Sequence, residues 1–177
     1  MNIDELDKSR IKVEESSENI KTIVIKVISE FSSDLDGLVR EIDLKIRSNE
    51  LDTFTDQELE MYCLKLSSYM YFAASGQELI GLKETISDAI YKENYNNIFA
   101  KATGTMADKK AMAELNSQDS MLIELVYKHA EKMMESKLVY ATHLLSSIKR
   151  VLNRRIEQMK MNPIGTKFKA TETSIEV

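Results

Sequence analysis

An all-α fold, a long antiparallel helical hairpin preceded by an N-terminal helix, follows from three observations. The 177-residue chain holds a single proline, Pro163, and only five glycines. Proline and glycine punctuate most turns and loops, so a chain poor in both has little to build besides helices. The stretch from Asp56 to Met161 carries helix-period apolar residues and is interrupted once, at Thr103-Gly104-Thr105. Finally, 43% apolar and 30% charged residues, with ten Met and no Trp, favour helix over strand in a water-facing chain.

Residues 1–16 are polar without a sustained period and read as a flexible lead. From Ser17 the apolar residues Ile20, Ile23, Val24, Val27, Ile28, Phe31, Leu35, Leu38, Ile42 and Ile46 follow helical spacing, which predicts a first helix over about 17–48. The β-branched run Ile23–Ile28 admits a strand over Lys21–Ser29, but helical spacing continues beyond Phe31. Ser32-Ser33 and Gly37 are candidate kinks.

Thr55-Asp56-Gln57-Glu58 fits a capping box, in which the Thr hydroxyl and the Glu carboxylate each satisfy an orphan backbone N–H. It predicts a second helix over about 56–102. Gly76 and Gly81 lie inside that helix, where a bend is the simpler use and a close helix–helix approach the other. Gly104 suits a C-terminal cap, and Thr105 with Asp108 can start a third helix over about 107–161. A helix of that length reaches roughly 75 Å at 1.5 Å per residue. It must therefore pair with its neighbour, with other chains, or with both. Asn162-Pro163-Ile164-Gly165 is expected to end it, leaving 162–177 as a flexible tail. Residues 17–161 thus form one helical domain, and its nearly unbroken apolar stripes predict assembly into a helical homo-oligomer.

Several function classes are disfavoured. No Gly-rich phosphate loop occurs. His129 and His143 lack the Glu-x-x-His pattern of a di-metal bundle, since Val126 and Tyr140 stand three residues before them. Cys63 is the one cysteine, which excludes an internal disulfide and a cysteine-based zinc cluster. The longest apolar run, Tyr69 to Ala74, falls far short of the ~20 residues of a membrane span. The N-terminus lacks a secretory signal, so a cytoplasmic location is expected. The sequence therefore predicts a non-enzymatic interaction protein with no cofactor, metal or small-molecule substrate.

Charge is segregated along the chain. Residues 1–60 hold 16 acidic and 8 basic residues, whereas 145–177 hold 7 basic and 3 acidic. Lys149, Arg150, Arg154, Arg155 and Lys160 form a basic stretch opposed only by Glu157 before the tail. Such a patch attracts phosphate backbones through counterion release. Equally, it suits a helix C-terminus or an acidic surface of the same protein. Tyr62, Tyr69, Tyr71, Phe72, Tyr91, Tyr95 and Phe99 cluster on the second helix, where they serve packing or, alternatively, base stacking.

From about Ser67 to Met161 the chain resembles the UvsY-like phage recombination mediators. The residues that carry the resemblance are Tyr69-Met70-Tyr71-Phe72-Ala73-Ala74 with Leu79 and Lys83, then Tyr95-Asn96-Asn97-Ile98-Phe99 with Gly104 and Asp108, then Leu144-Leu145-Ser146-Ser147-Ile148-Lys149-Arg150 with Ile156. The resemblance implies a ring-like homo-oligomer that binds single-stranded DNA, helps displace the single-strand-binding protein and loads a RecA-like recombinase, in a host cytoplasm. The family carries a Lys/Arg-rich run before the loop. Here Ala89-Ile90-Tyr91-Lys92-Glu93-Asn94-Tyr95 offers Lys92 alone. DNA contact would then shift to Lys101, Lys109 and Lys110, or to Lys149–Lys160. The rival reading is a phage-type helical protein–protein adaptor or inhibitor that acts without DNA.

Overall fold

A computed structural model describes the backbone of residues 3–48 and 53–172, and the side chains of residue 11 and of residues 13–48 and 53–161. Four helices follow in order: α1 (Ile3–Arg47), α2 (Asp56–Lys101), α3 (Met106–Asn116) and α4 (Gln118–Glu172). The helical hairpin with an N-terminal helix is as the sequence predicts, and no strand occurs among the described residues.

The two starts read from sequence are present as full capping boxes. Thr55 accepts from the Glu58 N–H while Glu58 accepts from the Thr55 N–H, and Thr105 and Asp108 make the same exchange. Between α2 and α3, Gly104 has φ +113°, a conformation that L side chains rarely adopt, and it turns the chain back on itself.

Four boundaries differ from expectation. Helix α1 begins at Ile3, because a polar segment can propagate a helix once the apolar part has nucleated it. The local bond from Ser17 Oγ to the Glu14 carbonyl lies across that extension. The third expected helix is two, since Ser117 interrupts it between Asn116 and Gln118. The Ser117 hydroxyl is buried and donates 2.7 Å to the Ala113 carbonyl, competing for an acceptor of the helical ladder. At the far end, α4 continues through Pro163 to Glu172. Proline removes one rung of the ladder there without ending the helix.

The core is a set of seven-residue rows. Leu59, Leu66, Ala73, Ile80 and Ser87 of α2 are all buried, each seven residues from the last. Met134, Ala141 and Ile148 make the corresponding row on α4, and Ile28, Leu35 and Ile42 one on α1. A seven-residue repeat keeps one seam facing a partner through left-handed supercoiling. Phe31 of α1 lies against Gly76 of α2, and Lys45 reaches Tyr62, so the two helices run antiparallel. Asp36 is bridged by Lys137, and Val24 packs near Val126, so α1 runs parallel to α4.

This arrangement divides the molecule in two. In the base half, α1, α2 and α4 form a three-helix bundle around Leu35, Leu38, Ile42, Leu59, Leu66, Met134 and Ile148. Beyond Ile80, among the described residues, α2 pairs with α3 and the start of α4, and the buried row of α1 ends at Val24. Gly76 is explained by contact and not by the simpler bend: a Cβ there would stand 2.4 Å from Phe31 Cβ.

Candidate functional site

At the base end, Ile148 is the last fully buried residue of the α4 row, and the outward-facing positions that follow carry cations. Lys149, Arg150, Arg154 and Lys160 are exposed, while Val151 and Leu152 stay half-buried against the bundle. From Lys149 to Lys160 the helix rises roughly 17 Å, enough to follow a few phosphates. Exposed Glu157 lies within the same stretch.

Arg155 stands apart from the other four. It continues the row of Met134, Ala141 and Ile148, so its stem enters the seam. Its guanidinium donates 2.6 Å to the Phe54 carbonyl and 3.0 Å to Asp56 Oδ1. Its side chain is only 23% exposed. Arg155 therefore fastens α4 to the segment between α1 and α2, and that bond turns its fork away from any outside phosphate.

Phe54 is the centre of this fastening. Its ring is buried and meets Tyr62 edge-on at 5.8 Å. The Lys45 ammonium lies 5.2 Å from the Phe54 ring centroid and donates 2.9 Å to Tyr62 Oη. Tyr62 Oη in turn donates 2.6 Å to Glu41. Burial, then the bond to Glu41, pushes the Tyr62 phenol up and keeps it a donor. The bond to Tyr62 raises the Lys45 ammonium and keeps it charged. Glu41 of the acidic α1 surface thus helps seat the C-terminal turn of its own helix.

The loop end holds the other two predicted cations, Lys109 half-buried and Lys110 exposed. Lys110 pairs with Glu114 at 3.8 Å. From Gln118 to Arg150 alone α4 rises roughly 48 Å, so the loop lysines and the base cations are two separate surfaces. The aromatics divide as well. Tyr62 is core, Tyr71 and Phe72 are 70% and 62% exposed, and Tyr95 stacks on Phe99 at 6.3 Å along α2.

Open grooves lie between the helices. One of about 450 Å³ lies between α1 and α4, lined by Ile20, Ile23, Val27, Leu122, Ile123 and Val126. Ser16, Asn19 and Tyr127 also line it, so its polar groups are few and uncharged. No group of three His, Cys, Asp or Glu suited to a metal occurs among the described residues. Burial pushes the Cys63 thiol up, partly offset by Lys149 nearby, so the thiolate is disfavoured. No described helix is long and apolar enough to cross a membrane.

A feature missed in the sequence is a second apolar stripe on α2. Leu79, Leu82, Ile86 and Ile90 are each about half exposed, beside the buried row. The signal was present in their spacing of three and four, but it merged with the core pattern.

No known protein family matches the chain, and no curated protein or solved structure is similar to it.

Proposed function

We propose that the chain is a non-enzymatic, single-stranded-DNA-binding recombination mediator. In this reading it acts as a homo-oligomer in a host cytoplasm and helps load a RecA-like recombinase against the single-strand-binding protein. The observation that carries DNA binding is the exposed cation set Lys149, Arg150, Arg154 and Lys160 on the outer face of α4. The recombinase role rests on the sequence resemblance. One chain offers only about four phosphate contacts, so useful affinity needs several copies acting together. Lys109 and Lys110 supply a secondary contact at the far end.

A second reading is favoured by a different observation. Exposed apolar side chains along α2 and α3 suit a helical adaptor or inhibitor that grips a protein partner without DNA. The variant Arg150→Glu with Arg154→Glu separates the two. Loss of oligonucleotide binding with unchanged helicity supports the mediator. Binding that is absent in the parent protein supports the adaptor.

A further inference from the structure

The loop half of the hairpin has its apolar residues on the wrong side for a lone chain. Between residues 81 and 125 the buried residues are Ser87, Ala102, Ala113 and Ser117, none of them large. The seam there is held by small side chains and by a polar bond, Asn94 to Ser120 at 2.7 Å. Meanwhile Leu82, Ile86, Ile90, Leu115, Leu122 and Ile123 are 42–65% exposed. Two helices joined by so little apolar burial gain most of their stability from whatever covers the other face.

In the base half α1 runs beside that face, leaving Phe72 and Leu79 62% and 50% exposed. Phe72 and Leu79 of α2 line a groove with Phe31 and Leu35 of α1, and Met133 and Tyr140 of α4 line another with Leu35 and Val39. Ile86 lies seven residues beyond Leu79 on the same row. There α1 offers nothing comparable, since its side chains from residue 13 to residue 19 are all exposed.

The charges on this stripe suit a second copy of the same helix, with the Lys83 ammonium 5.8 Å from the Tyr127 ring of α4 in the single chain. Lys83 and Glu93 are exposed and flank Ile86 and Ile90 on the same side of α2. In an antiparallel pairing of α2 with another α2 centred on residue 88, Ile86 faces the partner's Ile90 and Lys83 faces the partner's Glu93. Each contact then occurs twice, as a two-fold interface requires. In this register the exposed cation and anion at the two ends of the stripe face each other.

We propose that two copies of this chain pair antiparallel through the Leu82–Glu93 face of α2, with Ile86 and Ile90 at the centre and Lys83–Glu93 pairs at the two ends. This deepens the oligomeric part of the proposed function and is independent of its DNA part. Sedimentation of the full chain without DNA tests it. The parent protein dimerises at micromolar concentration, and Lys83→Glu weakens the dimer on the order of tenfold. The double variant Lys83→Glu with Glu93→Lys restores it, because the pairs re-form with reversed sign. Ile90→Glu, at a surface position that leaves the fold intact by circular dichroism, gives a monomer. A monomeric parent at ~100 μM overturns the interface, as does a double variant no better than the single. Oligonucleotide binding that survives in the Ile90→Glu monomer leaves the DNA reading standing while dissociating it from the dimer.

Discussion

Arg155 Nη1 donates to the Phe54 carbonyl at 2.6 Å, joining α4 to the start of α2 across 101 residues of sequence. The same guanidinium reaches Asp56, the first residue of α2. One arginine thus closes the base of the bundle, although by residue type and charge it matches Arg150 and Arg154. Arg155→Ala is expected to lower stability by roughly 1–3 kcal/mol, because a buried carbonyl and a carboxylate lose a charged donor. Arg150→Ala and Arg154→Ala should stay within about 0.5 kcal/mol of the parent, as exposed positions do. Urea unfolding of the three variants checks this.

The consequence for testing DNA contact is direct. Arg155→Glu would set a carboxylate beside Asp56 and unfasten the base. DNA binding is best probed with Arg150, Arg154 and Lys149, where loss of affinity with unchanged unfolding isolates the contact.

Two glycines should respond in opposite directions. Gly76→Ala drives a Cβ to 2.4 Å from Phe31 and is expected to cost about 1–3 kcal/mol, as overpacking does. Gly37 is exposed on α1, and a Cβ there would meet nothing within 4 Å. Gly37→Ala should therefore stabilise by ~0.4–1 kcal/mol, through the unfolded chain. Thermal melts of the two variants side by side give the signs.

The capping boxes predict an acid-sensitive contribution. Bonds from the Thr55 N–H and hydroxyl hold the Glu58 carboxyl below its ordinary value, and those from the Thr105 hydroxyl and N–H do the same for Asp108. A depressed carboxylate stabilises the fold fully above its unfolded value, about 4 for either residue, and the stabilisation is lost as pH falls through the folded value. Glu58→Gln and Asp108→Asn should thus be less stable than the parent at pH 6 and converge on it near pH 3. A stability difference that grows on acidification would contradict this.

Much of the fold was legible because it is written in short-range signals. Thr55–Glu58 and Thr105–Asp108 are local hydrogen-bond exchanges, and Gly104 is a local backbone requirement, so each could be read at its own position. The start of α1 and the course of α4 past Pro163 were not legible, since they depend on propagation from packed helix rather than on a pattern of their own. Ser117 marks its break with a buried hydroxyl, which composition does not announce. In the candidate site, Lys149, Arg150, Arg154 and Lys160 were found by charge alone. The capture of Arg155 was hidden because Phe54, which holds it, is a tertiary neighbour, and because a basic residue in a seven-residue core row looks like surface.

Binding of the purified protein to a fluorescent single-stranded oligonucleotide, at ~50 and ~200 mM salt with light scattering on the same sample, bears most directly on the proposed function. With about four cations per chain on the outer face of α4, affinity per contacting chain should fall about 50-fold between the two salts, in a defined oligomer. No binding at the lower salt would contradict DNA recognition and leave a protein-binding helical adaptor.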